Sequence, residues 1–497
     1  MIYIGEYIFL TLREISMSKS VSKNYIYNVS YQLLLLITPF ITTPYLSRVL
    51  EPAGIGTYSY TYSIVSYFIL LASLGVADYA QREIAYHQDN PHLQSRTFYE
   101  VNLIRFLLVG ISLIIYYFVV SRFPGDHLIY WYQALNIIAV LFDISWFFQG
   151  LEEFGKIVFR NFVIKLINII LIFALIHQPS DLNKYVALLG LMNIVSGLSI
   201  WLYLPKYLVH VPRQEIHPFR NFSTILQMFL PQIAIQIYTV LDKTMIGVIT
   251  GSPLENGYYE QAEKVVKMSL TVVTSLGTVM LPRIAYAYAH NDYETIKANM
   301  MRSYRFVWFL TLPMFFGFIA VSSNFVPWFF GPSYEKVIPL MQILSGLVIA
   351  IGLSNVTGIQ YLVPTGQQNK LTLSVVCGSV TNFTLNALMI PHYGAIGAAV
   401  ASLIAEMVVT FAQFYIVRDI FPLAQVILQT KNYLIAGLSM FFILHFLNKV
   451  LSPSFMHTIL IVTAGILLYT LALLMTHDPM LFWALNKIKA KIKRPRI

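Results

Sequence analysis

Long apolar stretches separated by short polar linkers run along almost the whole chain. About fourteen of them approach the roughly 20 residues that a helix needs to span a bilayer. They lie near residues 24–49, 57–78, 99–120, 128–149, 157–177, 184–204, 222–250, 258–283, 303–330, 337–363, 370–390, 394–417, 431–449 and 456–476. The pattern predicts an all-α, polytopic membrane protein of about 14 transmembrane helices.

Two sets of short motifs recur in the same order in the two halves of the chain. The octapeptide at 51–58, Glu-Pro-Ala-Gly-Ile-Gly-Thr-Tyr, is echoed by Ser-Pro-Leu-Glu-Asn-Gly-Tyr-Tyr at 252–259. Ser-Leu-Gly at 73–75, followed by Arg82 and Ile-Ala-Tyr, is echoed by Ser-Leu-Gly at 275–277, followed by Arg283 and Ile-Ala-Tyr. Repeats of this kind are typical of alternating-access transporters.

The repeat predicts the domain organisation. Spans 1–6 and 7–12 form two parallel six-helix lobes around a central cavity, and two further C-terminal helices are appended. Residues 1–16 are predicted to be a gene-model extension or an interfacial helix. The N-terminal lobe is predicted at 17–210 and the C-terminal lobe at 211–420. The two extra helices follow at 421–480, and a basic cytoplasmic tail at 481–497. If residues 1–16 are a gene-model extension, the protein starts at Met17 rather than at Met1.

Lys and Arg are distributed unevenly between alternate linkers. The side that holds both termini collects most of them, including the basic tail, whereas the opposite side has few. Because cytoplasmic loops are rich in Lys and Arg, both termini are predicted to lie in the cytoplasm.

Composition excludes several classes of protein. The chain is 57% hydrophobic and 11% charged, where a soluble domain has about 25% charged residues. The net charge of +10 reflects the cytoplasmic loops rather than a nucleic-acid partner. Cys377 is the single cysteine, so an intrachain disulfide and a thiolate metal cluster are excluded. No nucleotide loop, His-Glu-x-x-His pair or nucleophile elbow occurs, and we expect no enzyme, cofactor or metal.

Charged residues inside apolar helices are costly and often mark a transport pathway. Six of them, in spans 7 and 8, are candidates for substrate binding: Asp242, Lys243, Glu260, Glu263, Lys264 and Lys267. The last four share one helix face and form two i,i+4 pairs. The stripe is either a self-neutralised surface near the interface or the polar wall of a cavity. Arg48, at the end of span 1, is a further candidate for binding an anion.

Other polar residues are candidates for ion coupling or gating. Asp143 and Glu406 are predicted as lone acids within apolar helices, where burial raises a carboxyl pKa and suits it to proton coupling. The alternative for each is a hydrogen bond to a polar neighbour such as Gln149. The gating candidates lie near cytoplasmic ends of spans: Asp78, Arg82, Gln149 and Arg283. Taken singly, Arg82, Arg105 and Arg283 are expected to snorkel.

Three segments resemble a known family. Pro-Tyr-Leu-Ser-Arg-Val-Leu at 44–50, followed by Gly54, Gly56 and Tyr58, is similar to the first-span signature of polysaccharide and O-antigen flippases (Wzx-like). Asp-Lys-Thr-Met-Ile-Gly at 242–247 and Gly-Tyr-Tyr-Glu-Gln-Ala-Glu-Lys at 257–264 are similar to the family's seventh and eighth spans. The family belongs to the multidrug/oligosaccharidyl-lipid/polysaccharide (MOP) exporter superfamily.

The resemblance implies a function. Such flippases carry a polyprenyl-pyrophosphate-linked oligosaccharide from the inner to the outer leaflet of the bacterial cytoplasmic membrane by alternating access, which implies the same multi-pass location for this chain. Membrane lipid, H+ or Na+, and other polysaccharide-assembly proteins are the implied further partners. The alternatives are a lipid-linked peptidoglycan-precursor flippase, a cation-coupled multidrug exporter and, more distantly, a membrane glycosyltransferase or polymerase. The several Lys and Arg residues disfavour an exporter of cationic drugs, and the short outer loops disfavour a glycosyltransferase.

Overall fold

The apolar pattern of the sequence is matched by helices throughout. The computed structural model describes residues 2–123, 127–483 and 485–486. In that part of the chain, 12 helical stretches are long and apolar enough to cross a membrane. One of them, Ile37–Tyr86, holds the end of the first predicted span and the whole of the second. The seventh predicted span is also a helix, at Phe222–Thr250. The predicted all-helical, polytopic fold is confirmed. The basic tail beyond residue 486 lies outside the described residues.

The structure divides into two compact units. Unit 1 comprises the chain as far as Leu50 together with Thr61–Gln236, and unit 2 comprises Glu51–Tyr60 together with the chain from Ile237 onwards. The helices that begin in unit 1 are α1 (Ile2–Ser73), α2 (Val76–Tyr86), α3 (Pro91–Val120), α4 (Leu128–Phe142), α5 (Ser145–Gly150), α6 (Phe154–Leu175), α7 (Leu182–Ser199) and α8 (Phe222–Thr250).

The remaining helices belong to unit 2. They are α9 (Pro253–Ala289), α10 (Tyr293–Phe329), α11 (Val337–Leu344), α12 (Gly346–Thr357), α13 (Gln368–Tyr393), α14 (Ala395–Ile416), α15 (Leu423–Leu428), α16 (Lys431–Val450) and α17 (Phe455–Met475). A turn of π-helix, Gly358–Leu362, follows α12. The buried core of unit 2 is aliphatic and aromatic, with Tyr304, Phe330 and Tyr334 among its fully buried side chains.

Helix α1 is interrupted at Glu51. Its φ of 57° and ψ of 172° are not helical. Pro52 explains the break, because proline supplies no backbone N–H and its ring disfavours the helical conformation in the residue before it. The sequence pattern placed a linker between spans 1 and 2 over about these residues, and the structure reduces it to this one break.

The two Ser-Leu-Gly motifs have different conformations. In the first, Leu74 and Gly75 have φ of 38° and 67°, and the chain breaks between α1 and α2. In the second, Gly277 lies inside the uninterrupted helix α9. A Cβ atom on Gly277 would lie 2.8 Å from Asn355 Oδ1, so here the glycine permits close packing. Identical tripeptides therefore serve two different local structures.

Candidate functional site

The turn between α8 and α9 positions a strongly charged region of unit 2. Helix α8 ends at Thr250, and Gly251 takes a left-handed φ of 60°. Pro253 is the first residue of α9, a position where its missing N–H costs no hydrogen bond. The chain reverses here and brings Lys243 of α8 beside the acidic residues of α9.

Five side chains form what we call the charged cluster: Lys243, Glu260, Glu263, Lys264 and Lys267. The Lys243 ammonium lies 2.6 Å from Glu260 Oε2 and 2.9 Å from Glu263 Oε2. Lys267 Nζ lies 2.7 Å from Glu263 Oε1, and Lys264 Nζ lies 4.0 Å from Glu260 Oε1. Both i,i+4 pairs expected from the spacing are present. The structure adds Lys243, which bridges the two carboxylates.

Burial is graded across the charged cluster. The Glu263 and Glu260 side chains are 8% and 14% exposed and that of Lys243 is 19% exposed, whereas those of Lys264 and Lys267 are 35% and 45% exposed. Three ammonium groups face two carboxylates, so the cluster carries one net positive charge. Its most accessible groups are cationic. This arrangement suits an anionic ligand, because partly desolvated ammonium groups bind phosphate oxygens strongly.

Asp242 faces away from its neighbour Lys243. Its side chain is buried and accepts four hydrogen bonds from uncharged groups. These come from Tyr259 Oη at 2.5 Å, Ser402 Oγ at 2.5 Å, Asn382 Nδ2 at 3.0 Å and Asn386 Nδ2 at 2.7 Å. We call this set the Asp242 network. Asp242 was predicted to lie in the same binding surface as Lys243. Instead the structure places it in a separate buried network, because consecutive residues of a helix point in different directions.

Each of the two motifs that begin with Ser-Leu-Gly and continue to Arg82 or Arg283 lines a cavity within its own unit. Each cavity has a volume of about 420 Å³. The first cavity, in unit 1, brings together three of the predicted gating residues, Asp78, Arg82 and Gln149. The second, in unit 2, is lined by Arg283, Tyr286, His290 and Asp292. Arg82 also lies over the ring of Tyr79, at 5.7 Å. The repeated sequence therefore contributes to a repeated local feature.

Three other predicted residues lie at separate places. Arg48 is exposed in unit 1, and its Nη1 donates to the Pro44 carbonyl oxygen at 2.8 Å. Glu406 is half-buried in α14. Asp143 was expected in the middle of a helix, and this expectation is wrong. It follows the last residue of α4, is exposed, and accepts a hydrogen bond from the Ser145 backbone N–H at 3.0 Å.

Arg105 explains how the chain breaks at Asp143. Its side chain was expected to snorkel but is buried, with the residue 4% exposed. It donates to the Asp143 carbonyl oxygen at 2.5 Å and also to the Val140 carbonyl oxygen. Trp201 Nε1 donates to the Phe142 carbonyl oxygen at 2.7 Å. These donors bind the carbonyl groups that the end of a helix leaves unpaired.

The motif at residues 51–58 contacts its repeat at residues 252–259 within unit 2. A Cβ atom on Gly56 would lie 1.7 Å from the Pro253 carbonyl oxygen, and one on Gly257 would lie 2.0 Å from the Pro52 carbonyl oxygen. Each glycine thus packs against the proline of the other motif. We call this contact the glycine crossing. One helical turn further on, Ser59 Oγ donates to Glu260 Oε2 at 2.8 Å and ties the first motif to the charged cluster.

Sequence reasoning missed several residues of the site. Asn382 and Asn386 are four apart in α13, and two amides on one face of an apolar helix are a signal that was available. Ser402 and Ser59 carried no such signal, because each contacts the site from a distant part of the sequence.

The fold resembles that of solved transporters. A lipid II flippase, MurJ, in an inward closed conformation superposes with a TM-score of 0.71 at 15% identity, covering 92% of this chain and 99% of that one. An inward-facing multidrug resistance transporter of the MATE family in the MOP superfamily superposes with a TM-score of 0.64 at 15% identity, covering 82% of this chain and 99% of that one. The chain therefore has the MOP fold and is a multi-pass membrane protein.

Sequence comparison identifies the family. The family model described as polysaccharide biosynthesis protein matches residues 21–287, more than half of the chain. The chain belongs to this family, whose members are transporters and flippases rather than enzymes. A relative from Escherichia coli (strain K12), named "Putative O-antigen transporter", is 22% identical over 408 residues, covering 80% of this chain and 97% of the relative. The lipopolysaccharide biosynthesis protein WzxC of the same strain is 28% identical over 116 residues, covering 23% of each chain.

Proposed function

We propose that the protein is a flippase that moves a polyprenyl-pyrophosphate-linked oligosaccharide from the inner to the outer leaflet of the bacterial cytoplasmic membrane. The observation that carries the proposal is the charged cluster, a net positive group of side chains on membrane-length helices. Its two most exposed members, Lys264 and Lys267, are cationic. The family membership and the name of the Escherichia coli relative support the same class of substrate.

The proposed contacts follow from the chemistry of the substrate. Pyrophosphate and sugar hydroxyl groups cannot enter hydrocarbon unpaired, since each unsatisfied polar group costs several kcal/mol. Lys243, Lys264 and Lys267 supply cations to the pyrophosphate, and Arg48 remains a further candidate. The polyprenyl chain stays in the lipid throughout. Arg82 and Arg283, each at a cavity of its own unit, are the proposed gating residues.

The energy source in this proposal is the membrane potential or an ion gradient. Moving one elementary charge across the membrane is worth about 2.3 kcal/mol per 100 mV. Both termini lie in the cytoplasm in this proposal. An inside-negative potential favours outward movement of the anionic headgroup and inward return of the empty cationic site. H+ or Na+ is the alternative coupling ion, with Asp78, Asp143 and Glu406 as the candidate acids. Flipping in liposomes that persists without a potential but stops without an ion gradient would assign coupling to the ion.

Deletion of the gene tests the function in the cell. We expect the lipid-linked repeat unit to accumulate in the inner leaflet and the surface polysaccharide to be lost. The parent gene on a plasmid restores both. Normal surface polysaccharide in a strain without a second flippase contradicts the proposal.

A further inference from the structure

A short segment of α1 groups with unit 2, although the chain on both sides of it groups with unit 1. This segment, Glu51–Tyr60, starts at the break in α1 and ends immediately before Thr61. The left-handed backbone of Glu51 frees the segment from the helical direction of the residues that precede it. The segment is thus a distinct piece of backbone that packs against α8 and α9.

Three contacts among the described residues join the segment to α8 and α9. The glycine crossing brings its backbone against that of α9. The Tyr60 ring covers Gly247 of α8, where a Cβ atom would lie 2.0 Å from Tyr60 Cδ2. The third contact is polar, from Ser59 Oγ to Glu260 Oε2 at 2.8 Å. Two of the three depend on the absence of a side chain, so the helices approach as closely as backbones allow.

The polar contact shares its acceptor with the charged cluster. Glu260 Oε2 accepts from Ser59 and also lies 2.6 Å from the Lys243 ammonium. Any ligand that takes Lys243 from Glu260 leaves a largely buried carboxylate without its nearest cation, which is unfavourable. Lys264 lies 4.0 Å from the other oxygen, Oε1, and is the cation that Glu260 can approach instead.

The docked state also leaves one buried group unsatisfied. Asn256 precedes Gly257 at the glycine crossing and is fully buried. Among the described residues, neither its Nδ2 nor its Oδ1 has a hydrogen-bond partner. A buried amide without partners destabilises the state that buries it. Asn256 lies one helical turn before Glu260, on the face of α9 that Ser59 contacts. We therefore expect separation of the segment from α9 to expose this amide to water, which favours the separated state.

We propose that Glu51–Tyr60 is a latch that an anionic headgroup releases. The inference rests on the proposed function and adds a mechanism to it. A pyrophosphate takes the Lys243 ammonium, Glu260 turns toward Lys264, and Ser59 loses its acceptor. The segment then leaves α8 and α9, and Asn256 becomes hydrated. Headgroup binding is thereby coupled to opening at the glycine crossing, at the end of α9 that the charge bias places on the outer side of the membrane.

Thiol labelling of the full-length protein in nanodiscs tests the latch. Cys377→Ala removes the single native cysteine, and Asn256→Cys places a reporter thiol in the crossing; the double variant is first checked for complementation of the deletion strain. A water-soluble maleimide is expected to label the reporter thiol slowly. Polyprenyl pyrophosphate, the probe ligand, is expected to raise the rate about tenfold or more, the effect of one hydrogen bond to a charged group. Binding of the probe is measured in parallel on the same sample.

A second variant tests the latch without ligand. Ser59→Ala removes the polar contact and leaves the ion pairs in place, so labelling of the reporter thiol is expected to be fast without the probe. Ser66→Ala is the matched control, because Ser66 Oγ bonds within its own helix to the Tyr62 carbonyl oxygen at 2.7 Å. It is expected to leave the labelling rate unchanged.

The outcomes separate the two proposals. A probe that binds but leaves the labelling rate unchanged overturns the latch and leaves the proposed function standing. Equal labelling rates for Ser59→Ala and Ser66→Ala also overturn the latch. A probe that does not bind overturns the proposed function, and with it the release of the latch by a headgroup.

Discussion

Gly257 lies so close to Pro52 that a methyl group on its Cα would be 2.0 Å from the Pro52 carbonyl oxygen. The reciprocal contact, of Gly56 with Pro253, is closer still. The two copies of one sequence motif therefore pack on each other with their equivalent residues exchanged. The repeat first recognised in the sequence is a physical contact in the fold.

The glycine crossing predicts a large effect of one added methyl group. Gly56→Ala and Gly257→Ala force the two backbones apart, and overpacking of this kind costs about 1–3 kcal/mol. Gly110→Ala in α3 is the control, because nothing lies within 4 Å of the added Cβ atom. We expect thermal unfolding in detergent to show lower melting temperatures for the first two variants only. Equal melting temperatures for all three would show that the crossing is not packed this closely.

Lys243 is predicted to be the key cation of the charged cluster. Lys243→Gln leaves two largely buried carboxylates without their shared partner, and breaking a buried pair costs about 3–5 kcal/mol. Lys267→Gln removes a more exposed ammonium and is expected to cost about 1 kcal/mol or less. Denaturation of the purified proteins measures both.

A triple variant separates stability from transport at the same site. Changing Lys243, Glu260 and Glu263 together to Gln removes the buried charges and is expected to recover stability relative to Lys243→Gln. Complementation of the deletion strain is expected to remain absent, because the cation for the headgroup is gone. A triple variant that complements fully would contradict the binding role of Lys243.

We predict that the stability of the protein depends on the Asp242 carboxylate, and that an uncharged side chain of the same shape does not replace it. Asp242→Asn replaces one carboxylate oxygen, an acceptor, with an NH2 group, a donor. This NH2 group faces side chains that also donate hydrogen bonds. A lost hydrogen bond to a charged group costs about 1.5–3 kcal/mol. Asp419→Asn is the matched control, since its side chain is 90% exposed. If thermal unfolding shows equal stability for the two variants, the network does not depend on the ionised carboxylate.

Arg105 is predicted to hold the break between α4 and α5. Arg105→Lys keeps the charge but cannot donate to two carbonyl groups through a planar fork. We expect a loss of about 1.5–3 kcal/mol and faster proteolysis near residues 142–145. Arg122→Lys, at an exposed position, is the control and is expected to match the parent. An Arg105→Lys protein with parent stability would show that Trp201 and packing alone maintain the break.

The sequence was sufficient for the helices and for the local charge pairs. Apolar length predicted the spans, and i,i+4 spacing predicted the pairs of Glu260 with Lys264 and of Glu263 with Lys267. The bridge made by Lys243 was not predictable in the same way, because it depends on how the turn at Gly251 sets α8 against α9. The contact from Ser59 likewise depends on tertiary packing.

The positions predicted from the sequence were wrong mainly where a helix breaks. Asp143 was placed inside a continuous helix because the apolar pattern continues past it. Its position at the end of α4 depends on Arg105 and Trp201, which bond the α4 carbonyl groups from other helices. Hydrophobic periodicity does not report such contacts. For the same reason, it could not distinguish the break at Gly75 from the continuous helix at Gly277.

The central claim is outward transport of a lipid-linked oligosaccharide through the charged cluster. Its most direct test is flipping of a fluorescent polyprenyl-pyrophosphate-linked oligosaccharide by the purified protein in liposomes, with accessibility to a membrane-impermeant quencher as the readout. We predict that the parent protein redistributes the lipid between leaflets and that Lys243→Gln at equal reconstituted density does not. No redistribution by the parent, or equal rates for parent and variant, would contradict the account.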